Sequence, residues 1–346
     1  MKEGVLGRVF PAAAVAVTYQ GQLIALRAFG KFTYESNSPA VTPSTLFDVA
    51  SITKVVATTS MAMILYQRGL LDLDAAVAGT VPEFVSGIDR DRRRRDITLR
   101  MLLAHSSGLP AYEKLFLQAP TRDELLHAVF TMPLAADPGS RASYSDIGFI
   151  LLGVALERLA DESLDLFCQR EIFAALGMTG TAFNPPTEVR GQIPPTADDR
   201  TFRHRIVQGE VYDENASVLG GAAPHAGVFS TAEDTARFAC AMIGGGRIVR
   251  RETVALFTRR EAAPTGTSRA LGWDTPSSPS QSGKYFGPAS FGHLGYTGTS
   301  LWIDPHRQLS ITLLTNRTWP DSSNHAIKQL RPRFHDAVVE ALVKAG

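Results

Sequence analysis

The chain has 346 residues, and its 35 Lys and Arg side chains nearly balance 34 Asp and Glu, which gives a formal net charge of +1 at pH 7. Hydrophobic residues make up 44% and charged residues 20%, as in ordinary globular proteins. These values exclude disordered and collagen-like classes, and the near-neutral charge argues against a nucleic-acid partner. The length predicts about two domains with a large buried core.

Membrane and export signals are absent from the pattern of apolar residues. No apolar run reaches the roughly 18 residues of a membrane span, and residues 1–10 lack the pattern of a signal peptide. The sequence as given therefore predicts a cytoplasmic protein, or a periplasmic or secreted one whose leader has been removed. Cys168 and Cys240 stand in no metal-binding spacing, and we expect both to be small, free core residues on helices.

The first elements along the chain are a hairpin and a buried helix. Residues 12–19 and 23–29 are apolar runs separated by a turn signal, which predicts two antiparallel strands. Residues 51–68 are almost wholly apolar or small, so they predict a helix that is buried on nearly all sides. Residues 146–159 and 164–176 show helical spacing of apolar side chains.

The second half of the chain mixes loops with strands and ends in a helix. Residues 184–205 are rich in Pro, Thr and Asp and predict a long surface loop, and residues 275–283 have the composition of a linker. Residues 291–304 and 308–316 predict a second hairpin, turned at Asp304-Pro305. Residues 326–343 have apolar residues at helical spacing, which predicts a helix that packs on a sheet.

Strands at both ends with helices between them predict one sheet that is built from both termini. The fold class is therefore a mixed α/β (α+β) architecture with helices flanking the sheet. We expect an α/β domain formed by residues 1–68 and 211–346, and an all-helical domain inserted at residues 69–210.

The motif Ser51-Ile-Thr-Lys54, at the start of the predicted buried helix, is the strongest candidate for chemistry. Residues at i and i+3 lie on one helical face, so the hydroxyl and the amine can meet. Ser51 would stand at a helix N-terminus, where free N–H groups can hold an oxyanion. Burial of Lys54 in an apolar helix lowers the pKa of an amine toward that of a general base. On the motif alone, a helix cap beside a lysine that reaches to solvent stays an alternative.

Two later motifs extend this pattern: Tyr144-Ser-Asp146, just before a predicted helix, and the glycine-rich stretch from Phe291 to Gly298 on a predicted strand. The three motifs, in this order, resemble those of the serine hydrolases of the class C β-lactamase and penicillin-binding protein superfamily. The resemblance covers nearly the whole chain. It implies a β-lactamase/transpeptidase-like fold with an antiparallel sheet.

The resemblance also implies roles for particular residues. Ser51 would be the acylated nucleophile, and Lys54 and Tyr144 would share the proton transfers of an acyl-enzyme mechanism. The backbone N–H groups of Ser51 and Tyr296 would form the oxyanion hole. Asp146, His293 and Gly295 would contact the substrate, and Tyr112 is a candidate for the cleft wall.

Two residues depart from the family pattern. Asp146 stands where the second motif usually ends in Asn, and a carboxylate beside Lys54 favours the ammonium form. A protonated Lys54 would in turn stabilise a tyrosinate at Tyr144, which would then act as the base. His293 replaces a lysine that helps to hold the substrate carboxylate in β-lactamases, and a histidine is mostly neutral at pH 7.

The sequence therefore predicts a serine hydrolase. Its favoured activity is that of an esterase on small acyl esters. The alternatives are a β-lactamase, a D-amino-acid or muropeptide peptidase or amidase of the penicillin-binding type, and a non-catalytic ligand-binding relative. The expected partner is a small-molecule ester, amide or β-lactam, with no cofactor, metal, nucleic acid or membrane span. The oligomeric state stays open. His105 and His225 are interpreted as hydrogen-bonding spacers in loops.

Overall fold

An antiparallel five-stranded sheet joins the two ends of the chain in the computed structural model, which describes residues 1–86 and 91–345. The strands, in chain order, are β1 (Ala12–Tyr19), β2 (Gln22–Gly30), β3 (Phe47–Asp48), β4 (Ala182–Phe183), β5 (Ala197–Asp199), β6 (Arg205–Val207), β7 (Val228–Ser230), β8 (Phe291–Leu294), β9 (Ser300–Asp304) and β10 (Leu309–Thr315). The sheet has the order β2-β1-β10-β9-β8, and smaller sheets have the orders β3-β7-β4 and β5-β6. The predicted pairing of N-terminal and C-terminal strands is confirmed.

Helices cover the sheet and fill the middle of the chain. They are α1 (Lys2–Leu6), α2 (Ser60–Gln67), α3 (Val77–Thr80), α4 (Leu99–Leu103), α5 (Arg122–Thr131), α6 (Asp146–Ala160), α7 (Leu164–Cys168), α8 (Thr187–Arg190), α9 (Glu214–Val218), α10 (Ala232–Gly244), α11 (Arg251–Thr258) and α12 (Ile327–Ala345). Shorter 3₁₀ turns lie at Ala50–Ile52, Pro82–Phe84, Arg92–Asp96 and Leu115–Leu117, and π-helical turns at Lys54–Thr59 and Gln169–Ala174. The division into the two predicted domains stays a prediction.

The interior strand β1, which lies between β2 and β10, is buried on both of its faces. Ala16 lies in the main hydrophobic core with Phe238 of α10, and its neighbour Val17 packs with Val339 of α12 on the opposite face. Successive side chains of a strand point to opposite faces of the sheet. Helices on both faces therefore explain why β1 is apolar at nearly every position rather than at alternate ones.

Several predicted helices are confirmed. Residues 146–159 form most of α6, and the predicted helix at 326–343 is α12. Cys168 and Cys240 are both free cysteines, on α7 and α10. In the described ranges, no helix combines the length and the apolar character that a membrane crossing requires.

The predicted buried helix at residues 51–68 is built from three helical forms. A 3₁₀ turn at Ala50–Ile52 leads into the π-helical turn Lys54–Thr59 and then into α2. Wide π-helical turns occur at functional sites, where they change the direction of side chains. Gly69 follows with a φ of +73°, the left-handed conformation that ends many helices.

Three sequence-based expectations are wrong. Residues 184–205 are not one loop, because α8, β5 and the first residue of β6 lie within them. Residues 291–304 form two strands, β8 and β9, because the chain turns at 295–299. Residues 275–283 are not a linker. Gln281 Nε2 donates to the Lys328 carbonyl of α12 at 2.9 Å, so hydrogen bonds hold this polar segment on the fold.

Candidate active site

Ser51 is presented by a strained turn at the end of β3. Strand β3 pairs with β7, and the chain then turns through Ala50, whose φ of +49° is rare for a residue other than glycine. The Asp48 carboxylate accepts the Ala50 N–H at 2.8 Å and also the Tyr212 N–H at 2.6 Å. These hydrogen bonds support the strained conformation directly before the serine.

Lys54 is completely buried, and its Nζ donates two hydrogen bonds and forms one ion pair. Its Nζ lies 3.1 Å from Ser51 Oγ, 2.9 Å from the His225 carbonyl oxygen and 2.6 Å from Asp146 Oδ1. An ammonium group has three N–H donors and no acceptor. Three acceptors around one nitrogen therefore fit the protonated form of Lys54.

The pKa of Lys54 reflects two opposing influences. Burial, the largest single influence, lowers the pKa of the amine, but Asp146 and Tyr144 together outweigh burial and hold the pKa above its usual value. The expectation that burial makes Lys54 a free base is therefore wrong. The expectation that Asp146 favours the ammonium form is confirmed.

Tyr144 reaches the same serine from the start of α6. Its hydroxyl donates to Ser51 Oγ at 2.8 Å. Burial, with a further contribution from Asp146, raises the pKa of Tyr144 to about 12, although Lys54 acts in the opposite direction. The tyrosine is therefore a neutral phenol at rest, and the tyrosinate that the sequence suggested is not the resting form.

The turn between β8 and β9 packs directly against the chain that precedes Ser51. Thr297 Oγ1 donates to the Asp48 carbonyl and Thr299 Oγ1 to the Val49 carbonyl, each at 2.9 Å. A Cβ on Gly295 would lie 2.5 Å from the Val49 carbonyl oxygen. Glycine is therefore required at this position by the close approach of two segments of the same chain.

The Ser51 and Tyr296 N–H groups border the cavity on these two segments. Within residues 1–86 and 91–345, neither N–H donates a hydrogen bond to another group of the chain. Two free N–H groups beside the serine have the character of the predicted oxyanion hole, whose role stays a prediction.

His293, on β8, is neutral and buried at the cavity wall. Burial, together with the charges of Lys54 and Arg269, holds the pKa of His293 well below its usual value. Its Nδ1 lies 2.7 Å from the Leu294 carbonyl oxygen, which can only accept, so Nδ1 carries the ring proton. His293 Nε2 is then an acceptor, and among the described residues it has no partner.

A cavity of about 790 Å³ lies over the serine. All the predicted site residues except the fully buried Lys54 line it, and they are Ser51, Tyr112, Tyr144, Asp146, His293, Gly295 and Tyr296. Acidic and basic side chains also line the cavity, including Asp213, Glu214, Arg269 and Lys328. In the described part of the chain, no group of three or more His, Cys, Asp or Glu side chains is placed to hold a metal ion.

Sequence reasoning missed the contribution of His225. Its backbone carbonyl accepts from Lys54 Nζ, and its Nε2 lies 2.9 Å from Asp213 Oδ1. The sequence predicted only a spacer at this position. A backbone carbonyl has no signature in the sequence, and the two partners are 171 positions apart.

Comparisons with known proteins agree with this geometry. The family model described as Beta-lactamase matches residues 2–331. The chain is 31% identical to an N-acetylmuramyl-L-alanine amidase of Bacillus subtilis (strain 168), over 89% of this chain and 77% of the relative. It is 30% identical to a putative D-alanyl-D-alanine carboxypeptidase of Escherichia coli (strain K12), over 89% and 79%.

A solved structure shows the same fold. The octameric penicillin-binding protein homologue from Pyrococcus abyssi superposes with a TM-score of 0.72 at 22% identity, over 95% of this chain and 74% of that chain. The predicted β-lactamase/transpeptidase-like fold is confirmed.

Proposed function

Because the chain belongs to the beta-lactamase family of serine hydrolases, we propose that it hydrolyses an amide bond of a cell-wall sugar peptide or peptide through an acyl-enzyme on Ser51. The observation that carries the proposal is that Ser51 Oγ accepts from both Lys54 Nζ and Tyr144 OH beside a large cavity. A serine hydroxyl needs such neighbours, because it is a weak nucleophile until its proton can leave.

In the first step the Tyr144 hydroxyl turns its proton from Ser51 Oγ toward the substrate nitrogen. Ser51 Oγ then bonds to the substrate carbonyl carbon, the carbonyl oxygen becomes an oxyanion, and the Tyr144 oxygen takes the serine proton. Tyr144 passes its own phenolic proton to the leaving nitrogen, and the C–N bond breaks. The acyl-enzyme is then hydrolysed by the reverse path, with water in place of the amine. A neutral tyrosine with a pKa of about 12 suits this exchange, because it gains one proton as it loses another.

Lys54 acts in this scheme by its charge. Hydrogen bonds to Ser51 Oγ and to the His225 carbonyl, together with the ion pair with Asp146, fix the ammonium beside Ser51 Oγ. A fixed cation in a buried site stabilises the negative charge that develops as the serine proton departs. Asp146 keeps Lys54 in the protonated form. The roles of Lys54, Tyr144 and Asp146 titrate as a group and are tested together.

The size and charge of the cavity support a large, polar substrate. A volume of about 790 Å³ is in the upper part of the range for small-molecule sites. Charged side chains of both signs line it, which does not suit a simple hydrocarbon acyl chain. Two relatives are named as an N-acetylmuramyl-L-alanine amidase and as a putative D-alanyl-D-alanine carboxypeptidase, and both names refer to substrates with an amide bond.

Small acyl esters, the substrates that the sequence favoured, are the second candidate. The neutral His293 supports them, because it supplies no cation for a substrate carboxylate. Esters also have better leaving groups than amides, so the same Ser51 acyl-enzyme accepts them with less help at the departing atom. The same observation argues against efficient turnover of β-lactams.

The experiment compares release of L-alanine from N-acetylmuramyl-L-alanine, release of D-alanine from a D-alanyl-D-alanine peptide, and hydrolysis of p-nitrophenyl butyrate. Wild type is measured beside Ser51→Ala and beside Ser44→Ala, an exposed serine remote from the motif. We expect alanine release that disappears in Ser51→Ala and persists in Ser44→Ala. Intact mass after rapid quenching should show the acyl group on wild type.

The contrary outcomes are distinct. Ester hydrolysis that depends on Ser51, with neither alanine released, would replace the cell-wall proposal by the ester candidate. Activity that survives Ser51→Ala would remove Ser51 as the nucleophile for every substrate.

A further inference from the structure

The turn that carries Tyr296 is held by two buried arginines. Arg331 of α12 donates from Nη2 to the Gly295 carbonyl at 2.8 Å and from Nε to the Gly298 carbonyl at 3.3 Å. Arg317 donates from Nε to the Tyr296 carbonyl at 2.8 Å. Each arginine is 5% exposed.

These two cations have unusual partners. In the part of the chain that the structure describes, no carboxylate pairs with Arg331 or Arg317, and their hydrogen bonds go to backbone carbonyls. Burial, together with the charge of Arg317, lowers the pKa of Arg331 to about 9. Burying a cation without a counter-ion is costly, and a packing role does not require a charge. The presence of two such cations next to one turn therefore indicates that their positive charge has a function.

The peptide unit between Gly295 and Tyr296 explains why a positive charge is useful at this turn. Its carbonyl belongs to Gly295 and its N–H to Tyr296, in one planar trans group. The carbonyl and the N–H of a trans peptide point in opposite directions, so the Tyr296 N–H points away from Arg331. Donation to a carbonyl polarises the amide and strengthens its N–H as a donor, by about 10–30% per bond.

We propose that Arg331, which also lines the cavity, strengthens the Tyr296 N–H as an oxyanion donor, by bonding the carbonyl of the same peptide unit and by placing a buried positive charge next to it. The inference rests on the proposed acyl transfer at Ser51. Arg331 is thus a positioning residue that acts through the backbone. An oxyanion that forms at the Tyr296 N–H would also supply the negative charge that Arg331 lacks.

The probe is phenylboronic acid. Ser51 Oγ bonds to boron, the serine proton passes through Tyr144 to solvent, and the boron becomes tetrahedral and anionic. One of its oxygens then takes the place of the oxyanion. Arg331→Gln keeps an N–H donor but removes the charge. We expect about tenfold weaker boronate binding and about tenfold lower kcat on p-nitrophenyl butyrate, with KM unchanged, because loss of a whole oxyanion donor costs more.

Arg317→Gln is the matched control. Arg317 is equally buried and holds the same turn, but it bonds the Tyr296 carbonyl, which belongs to the peptide unit of the Thr297 N–H. A purely structural role for the arginines predicts equal losses in both variants. Polarisation predicts a clearly larger loss in Arg331→Gln. Arg331→Lys keeps the charge and should restore part of the boronate affinity, and it serves as the test if Arg331→Gln does not fold.

Three outcomes overturn the inference: boronate affinity unchanged in Arg331→Gln, equal losses in the two glutamine variants, or a change in KM without a change in kcat. Absence of any boronate adduct on wild-type Ser51 overturns it as well. Failure of the cell-wall proposal is distinguishable, because boronate binding and ester hydrolysis require no cell-wall substrate.

Discussion

Lys54 and Asp146 form an ion pair in which Lys54 Nζ lies 2.6 Å from Asp146 Oδ1, with the lysine fully buried and the carboxylate 16% exposed. The pair connects the motif at residues 51–54 with the motif at residues 144–146, and Asp146 is the first residue of α6. It also favours the protonated form of the lysine beside Ser51.

Asp146→Asn should move the pH dependence of the reaction. Without the carboxylate, only Tyr144 opposes the effect of burial, and the pKa of Lys54 falls. Because the scheme requires the ammonium form, the alkaline limb of kcat/KM should shift to lower pH and the neutral-pH rate should fall. The measurement is a pH–rate profile with p-nitrophenyl butyrate.

The control is Asp137→Asn, an exposed carboxylate that pairs with Arg93 at the surface. Its profile should match wild type. Identical profiles for wild type and Asp146→Asn would contradict the role of the ion pair. A gain of activity at neutral pH in Asp146→Asn would make the neutral amine the base.

Asp48 predicts a pH-dependent stability. Burial raises the pKa of Asp48 to about 6, although backbone N–H groups of Tyr212 and Ala50 act in the opposite direction. A carboxyl group with a raised folded-state pKa stabilises the fold most below its unfolded pKa, near 3.9, and this contribution is lost as pH rises through about 6. A shift of about two pKa units corresponds to roughly 3 kcal/mol.

The stability of Asp48→Asn relative to wild type should therefore rise by roughly 3 kcal/mol between about pH 4 and pH 7. Urea unfolding of both proteins across this range measures the difference directly, and other titrating groups cancel. A difference that is independent of pH, or that changes in the opposite direction, would show that the Asp48 carboxylate is stabilised when charged.

The side chains that we propose as catalytic were the most predictable part of the site. Spacing along a helix is a local property, so Ser51-Ile-Thr-Lys54 predicted that the hydroxyl and the amine meet, and they do at 3.1 Å. The contact between Lys54 and Asp146 was expected from the order of motifs in the family. The raised pKa of Tyr144 was not expected, because desolvation depends on the packing of the whole site.

The rest of the site depends on contacts that leave no trace in one sequence. Arg331 donates hydrogen bonds to backbone carbonyls that lie more than thirty positions away in the sequence. Any residue type supplies such a carbonyl. The break between β8 and β9 was missed because the glycines there were interpreted within one strand. The loop at 184–205 was missed for a related reason. Its strands are three residues long and are fixed by mutual pairing rather than by an apolar pattern.

Gly295→Ala should disable the site without unfolding the protein. The added Cβ would lie 1.9 Å from Thr299 Oγ1 and 2.5 Å from the Val49 carbonyl oxygen, so the turn must move away from the Ser51 segment. If the Tyr296 N–H is an oxyanion donor, its displacement should lower kcat by about 100-fold or more. Gly79→Ala is the control, because its added Cβ meets nothing within 4 Å.

Kinetics on p-nitrophenyl butyrate and circular dichroism measure the two effects of Gly295→Ala separately. A folded variant with near-normal kcat would remove the turn from the oxyanion hole. If the variant is unfolded, boronate binding by the Arg331 variants tests the role of the Tyr296 N–H as an oxyanion donor.

His293→Lys should change substrate preference toward carboxylate-bearing β-lactams. The neutral His293 offers an acceptor at Nε2, whereas a lysine there would offer a cation. A new contact between opposite charges, reduced by repulsion from Lys54, should raise kcat/KM for nitrocefin by about tenfold, or about 1.4 kcal/mol. The rate on p-nitrophenyl butyrate, which has no carboxylate, should not rise. His293→Gln is the neutral control: an equal gain there would mean that the change in shape matters rather than the charge, and no gain in His293→Lys would mean that this position does not face a substrate carboxylate.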